Sequence, residues 1–296
     1  MWLESTLKDI VFYIINPFVQ TQEESAYRKL LTKLAVSGYK VFEYNENDTD
    51  IEHDVFATLI VTDDNRFARD YVMKGYAVLG YDGTGSYRIP STEYVFESMV
   101  EMEPEDINEV YCRLKCIPKY ILETERCYVR EISLNDIPRL YEIYANPSIT
   151  KYMEPLFERQ EDELAYTKSY IKNVYGLYGY GMWLLIEKES NTVIGRIGVE
   201  MKENPLDEGL AHEKCRGGVE IGFMIAQEYQ GKGYAKEAVR AVLSYCKQHI
   251  GTRLVYAMVD RDNEASIGLC ERVGFVYKET VPQNGRIFSY YEYMNN

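Results

Sequence analysis

In residues 1–120, short apolar runs alternate with stretches whose apolar positions recur at helical spacing. Ile10 to Ile15 is a continuous apolar run of strand length, stopped by Asn16-Pro17. From Glu23 to Val36 the apolar residues fall at Ala26, Tyr27, Leu30, Leu31, Leu34 and Ala35, so one face of a helix is apolar. Gly38 follows, where a helix end favours a residue that accepts positive φ. "YKVFEY" and "ATLIVTDD" read as strands, Arg66 to Lys74 as a helix and "YAVLGY" as a third strand. Pro104 to Leu114 is a helix that opens on acidic residues, which suits the positive end of its dipole. This alternation predicts a small three-layer α/β unit built on a largely parallel sheet. Pro118 and the "YILETER" after it mark its end.

Residues 124–296 have a different rhythm. "CYVREIS" reads as a strand, "LNDIPRLYEIYANP" as a helix ended by Pro147, and Asp162 to Tyr175 as another helix. "GMWLLIEKESNTVIGRIGVEM" reads as two strands joined at Ser190-Asn191, and "GGVEIGFMI" as a further strand. A helix (Ala235 to His249), the strand "RLVYAMVD", a helix (Glu264 to Val273) and the strands "FVYKETV" and "RIFSYYEYM" complete the chain. A hairpin ahead of one helix–strand unit predicts a mixed α+β sheet.

The length of 296 residues suits two domains, and 46% apolar residues suffice for their cores. A formal net charge of -14 opposes a non-specific nucleic-acid surface. It favours cationic partners such as amines, and it equally serves solubility. No run approaches the roughly 18–20 apolar residues of a membrane span. "DIVFYIINPFV" lacks the basic start and cleavage site of a signal peptide. The six cysteines (112, 116, 127, 215, 246 and 270) form no CxxC pair, which predicts reduced thiols and a cytoplasmic protein. His212-x-x-Cys215 and Cys112-x-x-x-Cys116 offer too few ligands for zinc, so no metal is expected. His53 and His249 read as surface or packing residues.

The chemistry concentrates in "AQEYQGKGYAKEAV", Ala226 to Val239. A strand ends near Ile225 and an amphipathic helix begins near Gly233 to Ala235. The first turn of such a helix has unpaired backbone N–H groups at its positive end, a ready anion site. Gly231 and Gly233 carry no Cβ to hold a phosphate away from those groups, and Lys232 adds a charge. The P-loop pattern is absent, because Tyr234 follows Gly233, and so is GxGxxG, because Lys236 stands at its last position. A tight strand-to-helix turn is the bland alternative.

"QGKGYA" matches the Q/R-x-x-G-x-G/A motif of the GNAT superfamily of acyl-CoA-dependent N-acetyltransferases. "AKEAVRAVLSYC" fits the helix after it, and "NEASIGLCERVGF" resembles the second CoA-proximal segment. "TERCYVREISLNDIPRLYEIYANPSITKYM" resembles the opening of the ribosomal-protein N-terminal acetyltransferase branch. The resemblance covers residues 124–296 and implies a splayed mixed central sheet with acetyl-CoA as co-substrate. It places the pantetheine chain along the backbone of Met224 and Ile225 and the pyrophosphate on Gln230, Gly231, Lys232, Gly233, Tyr234 and Ala235. It implies that Glu220 acts as general base through water, with its face-mate Gly222 leaving room for the acceptor. Asn263 is a helix N-cap, to which the resemblance adds a CoA contact. Ser266 matches a serine that the branch places near the CoA sulfur as proton donor, although a helix-start role suits it equally. Many relatives have a tyrosine where Cys270 stands, so the proton donor stays open among Ser266, Tyr290 and Tyr291. The acceptor is a primary amine, on a protein N-terminus or a small molecule. An acyl-CoA-binding regulatory module without turnover is the alternative.

In the first domain, "AVLGYDGTG" resembles the haloacid-dehalogenase phosphatase motif, with Asp82-Gly83-Thr84 as its tail. The nucleophile position is Gly80, which can form no aspartyl-phosphate. The resemblance implies a truncated, non-catalytic Rossmann-like unit; an unrelated α/β unit is the alternative. Asp63 and Asp64 read as solvated turn acids or as ligand-binding acids. The domain's use as a substrate entrance or as a homo-oligomer contact is left open.

Overall fold

The computed structural model describes residues 6–16, 21–45, 52–86, 88–207 and 217–295. The chain divides into two compact units, Met1–Ile117 and Pro118–Asn296.

The first unit is built on β1 (Asp9–Tyr13), β2 (Lys40–Tyr44), β3 (Thr58–Thr62), β4 (Ala77–Tyr81) and β5 (Tyr94–Phe96). These strands are all parallel, in the order β2-β1-β3-β4-β5. Helices α1 (Thr21–Val36) and α3 (Pro104–Leu114) cover one face, where Leu30, Leu34, Ile107 and Tyr111 pack on Phe12, Leu59 and Leu79. Helix α2 (Asn65–Met73) covers the other, with Ala68 and Tyr71 on Val11, Ile60 and Val78. Alternate residues of each strand therefore serve opposite cores. The central strand β3 is buried at every position, because helices lie on both sides of it. The predicted parallel sheet is present. Strand β5, only three residues long, has no counterpart in the sequence reading.

The two acids after β3 are occupied by their own chain. Asp64 caps α2 through the Phe67 N–H at 2.9 Å, and Asp63 accepts the main-chain N–H groups of Ile15 and Asn16, each at 2.9 Å. Asp82 likewise closes a local turn, accepting from Thr84 N–H, Thr84 Oγ1 and Arg88 N–H. At Gly80 a Cβ would stand 2.7 Å from Thr92 Oγ1 and 3.0 Å from Val95 Cγ2, so the space a nucleophile needs is filled.

The second unit holds β6 (Tyr120–Glu123), β7 (Cys127–Arg130), β8 (Met182–Glu187), β9 (Thr192–Glu200), β10 (Val219–Ile225), β11 (Leu254–Asp260), β12 (Val276–Gln283) and β13 (Arg286–Met294). Their order is β12-β13-β11-β10-β9-β8-β7-β6. All neighbours are antiparallel except β10 and β11. That parallel ladder covers only Val219↔Val255 and Glu220↔Tyr256, and the two strands part beyond it. The mixed, splayed sheet expected for this part of the chain is thus present.

Helices α4 (Ile137–Tyr144), α5 (Pro147–Thr150), α6 (Gln160–Tyr170), α7 (Gly176–Tyr178), α8 (Tyr234–Tyr245) and α9 (Glu264–Val273) complete the unit. Pro147 starts α5 rather than closing α4: Asn146 caps it, and proline suits a first turn, where its N–H is not missed. The helix read over Asp162–Tyr175 changes to a wider π-type turn at Ile171–Tyr175. Trp183 of β8 packs edge-on against Tyr245 of α8, ring centres 5.3 Å apart. Tyr144 of α4 and Tyr170 of α6 meet Arg196 and Glu200 of β9, which point to the other face. Among the described residues, no helix is long and apolar enough to cross a membrane.

Candidate functional site

Where β10 and β11 separate, the main chain of β10 from Ile221 onward has a ladder partner only on its β9 side. The chain then turns through Gly231 (φ 73°) and Gly233 (φ 87°) into α8. Nothing would lie within 4 Å of a Cβ at Gly231, and at Gly233 only Arg126 Nη2 would, at 3.4 Å. Left-handed backbone, rather than lack of space, requires glycine at both. Gly233 is the N-cap of α8 and no side chain caps that helix at this position, which leaves its first-turn N–H groups without a capping acceptor. The loop is anchored from behind. Gln230 Nε2 donates to the Ile225 carbonyl at 2.9 Å. Arg126 donates to the Lys232 carbonyl at 2.9 Å, pairs with Glu237 at 2.7 Å and lies over the Tyr234 ring at 4.2 Å.

A cleft of about 730 Å³ opens between this loop, the end of β10, α5 and the start of α9, within the roughly 300–1,000 Å³ of small-molecule sites. Met224, Ile225 and the loop from Gln230 to Ala235, Lys232 excepted, line it. Asn263 and Ser266 line it as well. Lys232 is turned toward the Tyr229 ring, 5.2 Å from its centre. The cations in the lining are instead Lys151, Lys236 and Arg272. With the uncapped helix start, they make the cleft suited to a polyanion. The pattern reading does not single out these three. Lys151 closes the four-residue α5, Lys236 lies on α8 and Arg272 on α9, and only the fold brings the three to one cleft.

Glu220, Gly222 and Met224 of β10 stand opposite Glu200, Gly198 and Arg196 of β9 and share one face of the sheet. The expectation that Gly222 leaves room for an acceptor is corrected by β8: a Cβ there would stand 3.1 Å from Met182 Sδ, which fills the space. Gly198 lies beneath the Gly181 carbonyl, 2.0 Å from where its own Cβ would be. The Glu220 carboxylate is 3.2 Å from Lys202 Nζ, which also reaches Glu200 at 3.3 Å. Burial pushes the Glu220 carboxyl up from its ordinary value; Lys202 opposes this and the Glu200 charge adds to it. Tyr170 donates to Glu200 at 2.6 Å. The Arg196 Nε is buried without a hydrogen-bond partner, while its Nη1 donates to the Tyr144 hydroxyl at 3.3 Å.

Of the proton-donor candidates, Ser266 alone lines the cleft. Asn263 caps α9 by accepting the Ser266 N–H at 3.2 Å, leaving the hydroxyl of Ser266 outside that bond. Burial pushes the Cys270 thiol up to about 12. The Tyr290 hydroxyl, fully buried, accepts from Asn204 Nδ2 at 2.8 Å. Burial raises Tyr291 too. His53 pairs with Asp9 at 2.9 Å and His249 stacks on Tyr245 at 4.7 Å. His212 and Cys215 lie outside the described residues. Among the described residues no three His, Cys, Asp or Glu side chains come together as a metal site would need.

Comparison with known proteins follows the same segment. The family model for the acetyltransferase (GNAT) domain matches residues 126–276. The uncharacterized protein YkkB of Bacillus subtilis (strain 168) is 26% identical over 176 residues, 58% of this chain and 94% of that protein. The uncharacterized N-acetyltransferase YoaA of the same organism is 30% identical over 172 residues, 56% of this chain and 90% of that protein. Among solved structures, the acetyl transferase of Salmonella typhimurium that modifies the N-terminal serine of 50S ribosomal subunit protein L7/L12 matches with a TM-score of 0.49. It is 16% identical, over 60% of this chain and 100% of that one.

Proposed function

We propose a reaction from one premise: this chain belongs to the GNAT acetyltransferase family. Acetyl-CoA is the co-substrate, and the acetyl group passes to a primary amine, on a protein N-terminus or a small molecule, by direct attack in a ternary complex. The observation that carries the reading is the meeting, in one cleft, of an unpaired strand edge (β10) and an uncapped helix start (α8). The open edge of Met224 and Ile225 suits the amides of pantetheine. The loop Gln230 to Ala235, with Lys236 and Arg272 beside it, suits the pyrophosphate.

The acceptor nitrogen gives up a proton to Glu220 through water and attacks the thioester carbonyl carbon. The new C–N bond forms as the C–S bond breaks, and the thiolate takes a proton from Ser266. Ser266 is supported by its place in the cleft lining, which Cys270, Tyr290 and Tyr291 do not share. The first unit is read as a Rossmann-like relative of the haloacid-dehalogenase fold without phosphatase chemistry. Its strand order follows one common doubly wound pattern, and its nucleophile position is a packed glycine.

The test is release of free CoA thiol from acetyl-CoA with a panel of peptides and small amines. Turnover with at least one class is expected, and Glu220→Gln lowers kcat/KM by about 10²–10⁴-fold with acetyl-CoA affinity unchanged. Tight acetyl-CoA binding without thiol release from any acceptor would establish the binding-only module instead.

A further inference from the structure

Lys202 lies two residues past the end of β9, and its ammonium stands between Glu200 and Glu220, which face each other across β9 and β10. The Lys202 side chain is 52% exposed, while those of Glu200 and Glu220 are 24% and 21% exposed. A half-exposed lysine contributes little to folding through such a pair, on the order of 0–1 kcal/mol. Its effect on the carboxylates is larger in kind. Two half-buried acids this close share protons readily unless a cation lies between them. Among the described residues, the other groups named on this face do not supply one to Glu220. Tyr170, from α6, donates to Glu200 and not to Glu220. Tyr256, from β11, donates to the Lys202 carbonyl at 3.3 Å and so fixes the backbone that carries the lysine. Arg196 lies four residues back from Glu200 on the same strand, and its Nη1 is directed to Tyr144.

We propose that Lys202 is a positioning residue for the acceptor side of the site, holding Glu220 ionised and in place so that it can take the proton of the incoming amine. This rests on the reading of Glu220 as general base. Glu200 is the opposing influence: it anchors Lys202 and also repels the Glu220 charge. Removing the lysine therefore raises the pH at which Glu220 loses its proton, and removing the Glu200 charge lowers it.

The experiment is a carboxyl ¹³C NMR titration of the whole chain labelled at glutamate, with the Glu220 resonance identified by its loss in Glu220→Gln. It needs neither acetyl-CoA nor an acceptor, so it stands apart from the thiol-release assay. In Lys202→Met the Glu220 midpoint moves up by about one pH unit. In Lys202→Arg it returns to within a few tenths of the original. In Glu200→Gln it moves down. Acetyl-CoA affinity, measured by calorimetry, stays within about twofold of the original chain in all three, since none of these residues lines the cleft. An unmoved midpoint in Lys202→Met, or one that rises equally in Lys202→Arg, overturns the proposal. If the titration behaves as stated and no amine releases thiol, the electrostatic assignment holds and the proposed reaction fails.

Discussion

Gly195 of β9 stands opposite Ile225, and its hydrogen points at the main chain of β10. A methyl there would lie 2.2 Å from the Met224 carbonyl oxygen, where real contacts of this kind reach 3.0 Å at closest. Gly195→Ala therefore displaces the β10 backbone by about 0.8 Å at the very residues proposed to hold pantetheine. Overpacking of this kind costs about 1–3 kcal/mol, which for a unit of this size lowers Tm by about 2–4 °C per kcal/mol. Acetyl-CoA affinity falls at least about tenfold, or 1.4 kcal/mol, because the hydrogen-bonding edge of β10 moves with its carbonyls. The assay is titration calorimetry with acetyl-CoA beside a thermal scan. Gly285→Ala is the control: with φ 75° and open space around it, it strains the turn between β12 and β13 without touching the cleft. That variant loses stability and keeps affinity. If Gly195→Ala loses stability but binds acetyl-CoA within twofold of the original chain, the β10 backbone does not hold the donor.

Arg126→Ala releases the Lys232 carbonyl and removes the guanidinium partner of Glu237, which keeps the main-chain N–H of residue 126 at 2.9 Å; acetyl-CoA affinity drops about three- to tenfold while stability falls by at most about 1 kcal/mol, both read by thermal shift with and without ligand. Gly80→Asp yields no Mg²⁺-dependent hydrolysis of p-nitrophenyl phosphate and lowers the melting temperature, because Thr92 and Val95 already occupy the space. Asp136 is buried, which raises its carboxyl, but Arg130 at 2.7 Å and the Ser133 donors outweigh this and hold it below its usual range. Its ionised form thus adds stability above the unfolded carboxylate pKa of about 3.9, and this is lost as pH falls through the lower folded value. Arg130→Met costs about 3 kcal/mol near neutrality and much less near pH 2, as thermal scans across that range will measure; an equal loss at both pH values contradicts the assignment.

Elements with strong local signals were readable from the chain alone. Helix α3 begins at Pro104 with a reciprocal cap between Glu103 and Asp106, and α9 is capped by Asn263 at its start and Gly274 at its end. Strands β5 and β6 were not readable, since three or four half-exposed residues give too short a pattern. In the site, the glycines of the loop carry their own conformational signature. What surrounds Glu220 and Gly222 does not: Met182 comes from β8 and Lys202 from just past β9, and only the pairing of the strands brings them to β10. Arg126 lies 111 residues from its partner Glu237 and has no local pattern to betray it. The two glycines in "VIGRIGVE" were a usable hint, because glycine inside an apolar strand often marks a close approach of another backbone.

The early end of the ladder between β10 and β11 also separates two duties within one strand. In the proposed complex the peptide groups of β10 meet the donor, and every residue type supplies the same peptide groups. The side chains of that strand are then at liberty to address the acceptor. With Glu220 kept as the base, exchanging the residues around it would redirect the enzyme toward another amine without rebuilding its hold on acetyl-CoA, provided that Gly195 keeps the backbone where it lies.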